Sequence, residues 1–313
     1  MTVKISEDAL GAIGNTSLVR LKKVVPEDHA RVLVKLEWEN PTGSMKDRMA
    51  QSMIEKAEDD GRLSAGGTVV EYTGGSTGTS LALICAIKGY RFRVVSSDAF
   101  SQEKLNHMRA LGAELTVVPS RGLGITKELI EKMIETARGL SDEQGTYWTD
   151  QLNNKDNVSG YFPLGEEIWE QTGGQVDAFV HVAGTAGSIM GTSKVLREHN
   201  PQMRIIAVEP DESPVLSGGE SGSHDIEGIG PGFIPSLWDG SLVDEIVRIP
   251  TEEAKEMARR LAREEGLCAG TSSGANVAAA IRIAKKLGRG ATVVTLLVDS
   301  GVKYLSTDLY KSY

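Results

Sequence analysis

The sequence predicts an α/β fold, a doubly wound and mostly parallel sheet, on three observations. Short apolar runs rich in Val and Ile recur along the chain, each closes on Gly or a polar turn, and segments with helical spacing lie between them. Strands buried on both faces read as unbroken apolar runs, and their alternation with helices marks a parallel sheet.

The strand runs are RVLVKLE (31–37), GTVVEYTGG (67–75), YRFRVVSSD (90–98), AELTVVPS (113–120), VDAFVHVAG (176–184), RIIAVEP (204–210) and ATVVTLLVDSG (291–301). Helical spacing is clearest over 251–265, where Ala254, Met257, Ala258, Leu261 and Ala262 form one face, Thr251 is the expected N-cap and Gly266 the stop. A second helical pattern, ITKELIEKMIETARGL, begins at Ile125, and a domain boundary is expected near 150. The stretch 210–242, rich in Gly, Ser and Pro, is long enough to be a functional loop.

At 313 residues the chain holds two domains or one large unit with ample core, and 40% apolar with 25% charged residues is a globular profile. A formal charge of −9, with no Lys/Arg-rich run, argues against nucleic acid and anionic membrane as partners. The first fifteen residues lack the apolar core of a signal peptide, and no run approaches the ~18 apolar residues of a membrane span, so the expected location is the cytoplasm. Cys85 and Cys268 stand apart, without a CxxC pair or a His at ligand spacing; both read as small core residues, and no metal site is expected.

Four segments place Gly, Ser or Thr where open α/β sheets bind ligands, at the carboxyl ends of strands. In Asn40-Pro41-Thr42-Gly43-Ser44-Met45-Lys46-Asp47-Arg48, Lys46 falls near a helix start, where a cation opposes the helix dipole. An imine with an aldehyde cofactor would remove that conflict; alone, the segment reads as a solvated surface lysine. Thr73-Gly74-Gly75-Ser76-Thr77-Gly78 follows strand GTVVEY, and Gly184-Thr185-Ala186-Gly187-Ser188 follows VDAFVHVA. Free N–H groups and hydroxyls at a helix start suit an anion, and the second loop is the better phosphate cradle, although each reads equally as an ordinary turn. The fourth, Gly270-Thr271-Ser272-Ser273-Gly274, reads alone as an N-cap supplied by Ser272 or Ser273. No G-x-G-x-x-G and no P-loop occurs, which argues against a nicotinamide dehydrogenase.

Together these segments resemble the cysteine synthase and cystathionine β-synthase family of fold type II pyridoxal-phosphate enzymes, from IGNTSLVRL to GVKYLSTDLY. The resemblance implies two doubly wound, mostly parallel sheet domains of the tryptophan synthase β-like kind. One spans 35–150 and the other 1–34 with 151–313, with the active site between them. It implies that Lys46 binds pyridoxal 5′-phosphate, that Gly184, Thr185, Ala186, Gly187 and Ser188 grip its phosphate, and that Ser272 faces the pyridine nitrogen. It assigns the substrate to Thr73, Gly74, Gly75, Ser76 and Thr77, to Gln151, and to the GIGPGF loop with Gly228, Ile229 and Gly230.

One departure stands out. Where the family usually has Thr-Ser-Gly-Asn-Thr-Gly, this chain has Thr73-Gly74-Gly75-Ser76-Thr77-Gly78, so Ser76 replaces an asparagine at the ring hydroxyl and Gly74 a carboxylate-binding serine. The implied reaction is β-replacement on an activated serine such as O-acetyl-L-serine, with sulfide as nucleophile, through an α-aminoacrylate. A β-elimination lyase or dehydratase on serine, threonine or cysteine is the alternative, and a binding protein that has lost catalysis a third reading. A homodimer and a serine acetyltransferase tail are the implied partners beside the amino-acid substrate.

Overall fold

Each of the seven apolar runs forms a strand in the structure, a computed structural model that describes residues 5–122 and 126–311. They are β2 (Arg31–Leu36), β3 (Thr68–Tyr72), β4 (Arg91–Ser97), β5 (Glu114–Val118), β7 (Ala178–Val182), β8 (Arg204–Pro210) and β10 (Thr292–Leu297). Three short strands carry too little apolar signal to be read in the sequence: β1 (Leu18–Arg20), β6 (Thr146–Trp148) and β9 (Glu245–Ile249).

Among the described residues the strands form two sheets, one ordered β1-β2-β10-β7-β8-β9 and the other β5-β4-β3-β6. All pairings are parallel except β1 with β2, so the fold is α/β and mostly parallel. β7 and β10 are buried at every position, as strands covered on both faces must be.

Nine α-helices are seen among the described residues. They are α1 (Lys46–Asp59), α2 (Ser76–Lys88), α3 (Gln102–Ala110), α4 (Lys127–Ser141), α5 (Asp156–Ser159), α6 (Phe162–Thr172), α7 (Gly187–His199), α8 (Thr251–Arg260) and α9 (Thr271–Leu287). α4 follows the expected pattern, whose first residue, Ile125, lies outside the described residues, as does the beginning of the N-terminal segment. No helix among the described residues is long and apolar enough to cross a membrane.

Three local readings are corrected. Thr251 is the first residue of α8 rather than its cap; Pro250 holds the cap position without a side-chain bond, while Gly266 stops the following π-helical turn in the left-handed region at φ 74°. Ser272 and Ser273 lie inside the first turn of α9 behind the cap residue Gly270, and Ser273 Oγ instead accepts from the Val298 amide at 2.8 Å. Cys85 is a core residue, whereas Cys268 is only half-buried; both are free thiols.

A buried charge network ties the chain start and α6 to α1. The Arg48 guanidinium donates to both oxygens of Glu37 (2.7 and 2.9 Å) and of Glu167 (2.7 and 2.9 Å), and Lys35 Nζ pairs with Glu167 at 2.6 Å. Burial alone would raise the Glu167 carboxyl, but Arg48 and Lys35 override it and hold it at about 2. Removing the Arg48 cation strands the buried Glu37 and leaves Glu167 with Lys35 alone. Arg48→Met is therefore expected to cost roughly 3–5 kcal/mol, read as a fall in the urea midpoint, whereas an unchanged midpoint would show the network to be dispensable.

Candidate active site

The segment before α1 is clamped to the end of β10. The Met45 amide donates to Val298 O at 3.0 Å, the Ser300 amide to Gly43 O at 3.0 Å, and Ser44 bridges Asp299. Gly43 sits at φ 73°, a conformation only glycine adopts readily. The turn is held from within by Asp47, which accepts from the Thr42 amide and hydroxyl at 2.8 and 2.5 Å.

Lys46 thus emerges beside Asp299, partly buried, with no hydrogen bond to its amine among the described residues. Desolvation lowers the amine from its usual range to about 8; Asp299 acts to raise it and the nearby Lys303 to lower it further. A lysine lowered to that range is neutral in a far larger share of molecules near neutral pH than an ordinary lysine, and the neutral form is competent as nucleophile or base.

The loop 184–188 meets the requirements of an anion cradle. A Cβ at Gly184 would sit 2.3 Å from Gly228 O and one at Gly187 2.1 Å from Asn157 Oδ1, so both positions require glycine for close backbone approach. Ala186 adopts φ 68°, turning the loop into the start of α7. Of the first N–H groups of α7, Gly187's goes to Thr185 Oγ1 (3.3 Å) and Met190's to Ala186 O (3.0 Å), which leaves those of Ser188 and Ile189 directed out of the helix end. Asn157 Nδ2, fixed by its bond to Gln151 O at 2.7 Å, donates to Thr185 Oγ1 at 3.1 Å, so the threonine's own proton is free for a ligand.

The loop 73–78 opens α2 in the same way. Gly75's amide donates to Thr73 Oγ1 (3.1 Å) and those of Gly78 and Thr79 to Gly75 O, leaving the amides of Ser76 and Thr77 free. Thr77 Oγ1 donates to Gln151 Oε1 (2.8 Å), and Gln151 Nε2 donates to Tyr72 O (3.0 Å), which keeps one amide proton of Gln151 available. Behind it the buried Glu71 accepts from the Gln151 and Tyr72 amides and from Thr149 Oγ1; burial pushes this carboxyl up to about 7 against those donors.

Two departures noted in the sequence have structural partners. A Cβ at Gly74 would lie 2.1 Å from the Phe100 ring, so Phe100 occupies the space a serine would use. Ser76 Oγ donates toward Asp299 Oδ2 at 3.4 Å and accepts from Lys303 Nζ at 3.2 Å, while Tyr304 OH donates to Asp299 Oδ2 at 2.8 Å. Ser272 is buried at the α9 start, and its hydroxyl has no hydrogen-bond partner among the described residues.

The Gly228–Phe233 loop packs against the 184–188 loop. The Gly230 amide donates to Ala183 O at 3.2 Å, Lys104 of α3 pairs with Glu227, and Ser236 Oγ reaches Leu152 O at 2.7 Å. Gly228, Gly230 and Gly232 all have positive φ, and Ile229 is buried beneath them. Hydrogen bonds link these segments to one another: Thr77 to Gln151, Gln151 through Asn157 to Thr185, Ser76 to Asp299, and Ser273 to Val298. Sequence reasoning missed Asp299, Lys303, Asn157 and Phe100. Asp299 was the most accessible of these, since it directly follows an apolar strand where site residues collect.

The description "pyridoxal-phosphate dependent enzyme" belongs to the family that matches residues 9–299. The chain belongs to this family. A cysteine synthase of Staphylococcus aureus (strain Mu50 / ATCC 700699) is 44% identical over 312 residues, covering 99% of both chains. Among solved structures, an O-ureido-L-serine synthase is 38% identical with a TM-score of 0.92, covering 98% of this chain and 96% of that one. The cysteine synthase of Entamoeba histolytica is 38% identical with a TM-score of 0.91, covering 99% and 92%. The residues fit the family's cofactor: a free lysine amine, an anion cradle with unpaired N–H and O–H donors, and an unpartnered serine for a ring nitrogen.

Only the neutral amine of Lys46 attacks an aldehyde, so uptake of pyridoxal 5′-phosphate by the apoprotein is expected to rise with pH to a midpoint near 8 and then level. Asp299→Asn, which removes the group favouring the charged amine, shifts that midpoint down; Lys303→Met, which removes the repelling cation, shifts it up. Stopped-flow absorbance against pH reads all three, and a midpoint near 10.5 in each protein would contradict the assignment.

Proposed function

We propose that this enzyme performs β-replacement on an activated L-serine of the O-acetyl-L-serine type, with sulfide or a similar nucleophile, giving L-cysteine or a related β-substituted alanine. The observation that carries the reading is the Lys46 amine, desolvated to about 8 and set among the anion cradle of α7, the free amides of α2 and the free hydroxyl of Ser272.

When bound, pyridoxal 5′-phosphate supplies an electron sink for an amino acid held through its nitrogen. Gly184, Thr185, Ala186, Gly187 and Ser188 hold its phosphate. Ser272 would meet the ring nitrogen as a neutral donor, which would keep the sink moderate and favour loss of a good leaving group from Cβ over transamination. Ser76 would face the ring hydroxyl, and the 3.2 Å bond from Lys303 would bring a positive charge close to it.

The substrate carboxylate is received by the free amides of Ser76 and Thr77 and the remaining Nε2 proton of Gln151, with Thr73, Gly74 and Gly75 shaping the loop. Lys46 Nζ takes the Cα proton as acetate departs from Cβ and returns it once sulfide has added there. Gly228, Ile229 and Gly230 close over this space and exclude water, which would otherwise divert the reaction to pyruvate and ammonia.

A second reading, β-elimination, draws on Gly74 and Phe100: the side chain a serine would offer to the carboxylate is absent and its space is filled. The same reading of the site takes 35–150 and 1–34 with 151–313 as the two domains, a homodimer as the assembly, the cytoplasm as the location, and a serine acetyltransferase tail as a competitor for the carboxylate loop. Sedimentation and competition by a peptide ending in a free carboxylate test the assembly and the tail.

Incubation with O-acetyl-L-serine and sulfide, followed by separate assay of cysteine and pyruvate, tests the reaction. Cysteine is expected as the main product, and Lys46→Ala is expected to lose at least ~1,000-fold in kcat while still binding the cofactor's phosphate. Pyruvate as the main product would establish elimination, and full activity in Lys46→Ala would overturn both readings.

A further inference from the structure

Behind the phosphate loop lies a buried histidine that the reaction does not touch. His181, at the fourth position of β7, is fully buried, with Nε2 2.9 Å from Ser188 Oγ and Nδ1 3.1 Å from Asn276 Nδ2.

The direction of each bond in this chain is determined by its neighbours. Asn276 Oδ1 accepts from the Val182 amide at 2.8 Å, and its Nδ2 donates to Leu296 O at 2.9 Å, which fixes the amide's orientation. The second proton of Nδ2 then points at His181 Nδ1, which must accept it, so the imidazole proton sits on Nε2. Nε2–H in turn donates to Ser188 Oγ. Burial first, and the charge of Lys46 second, hold His181 down at about 3, so it stays neutral across the working range.

We infer that His181, locked by Asn276 as the Nε2–H tautomer, is a positioning residue that turns the hydroxyl proton of Ser188 into the 184–188 loop for a phosphate oxygen. Asn157 does the same for Thr185 from the other side, so both hydroxyls of the loop are committed as donors before any anion arrives. With the other tautomer, Ser188 would donate backward into the protein and present only a lone pair to an anion, which repels it. This inference rests on the reading of 184–188 as the phosphate cradle.

The test is a double-mutant cycle on affinity, with both inorganic phosphate and pyridoxal 5′-phosphate titrated into the apoprotein. His181→Phe is expected to weaken both roughly tenfold, the scale of one charge-assisted hydrogen bond, and to have little further effect in a Ser188→Ala background. Equal losses in both backgrounds would reduce His181 to packing and overturn the inference, as would an unchanged affinity. The ¹⁵N spectrum of histidine-labelled, unmutated holoenzyme reads the tautomer without a variant: a protonated Nε2 supports the inference and a protonated Nδ1 overturns it. Unmutated protein that binds neither probe would overturn the cradle itself, whereas tight binding indifferent to His181 overturns this inference alone.

Discussion

The site depends on one backbone seam, where residues 43–45 are stitched to residues 298–300 by two amide bonds of 3.0 Å. The seam joins the start of α1 to the end of β10, and it places a lysine at an unfavourable helix position as a desolvated amine beside Asp299. The dipole of α1 and the loss of solvent both disfavour charge on Lys46, and Asp299 across the seam only partly offsets them. A lysine that gives up its proton more readily than usual is a consequence of where these two chain segments meet.

Around the seam the fold repeats a single device. Three helices, α2, α7 and α9, begin with turns rich in Gly, Ser and Thr, and each keeps N–H or O–H groups unpaired among the described residues. What differs is how the hydroxyls behind these groups are wired. In α7 they accept from Asn157 and His181 and so face outward as donors, while in α2 the Ser76 hydroxyl is held between Lys303 and Asp299. One helix end therefore presents its hydroxyls outward, and the other ties its first hydroxyl to a pair of buried charges.

Much of this was legible in the sequence because buried parallel strands and glycine-rich strand-to-helix loops leave local signatures. Lys46, the 73–77 and 184–188 loops and Ser272 each sit in such a loop, and the structure brings them together. The remainder depends on distant pairing. Lys303 lies 227 residues from Ser76 and Asn276 95 from His181, and no local pattern announces either contact. Nor does any local pattern show that Phe100 fills the space above Gly74. The caps of α8 and α9 were misread because Thr and Ser near a helix start satisfy the capping rule by composition, while here Thr251 accepts from the Asp225 amide and Ser273 from that of Val298.

The central claim is that Lys46, and no other buried lysine, carries the aldehyde cofactor. Borohydride reduction of the protein loaded with pyridoxal 5′-phosphate, followed by peptide mass mapping, tests it directly. The account predicts a pyridoxyl group on Lys46 alone; its appearance on Lys104 or Lys303, or on no lysine, would contradict it.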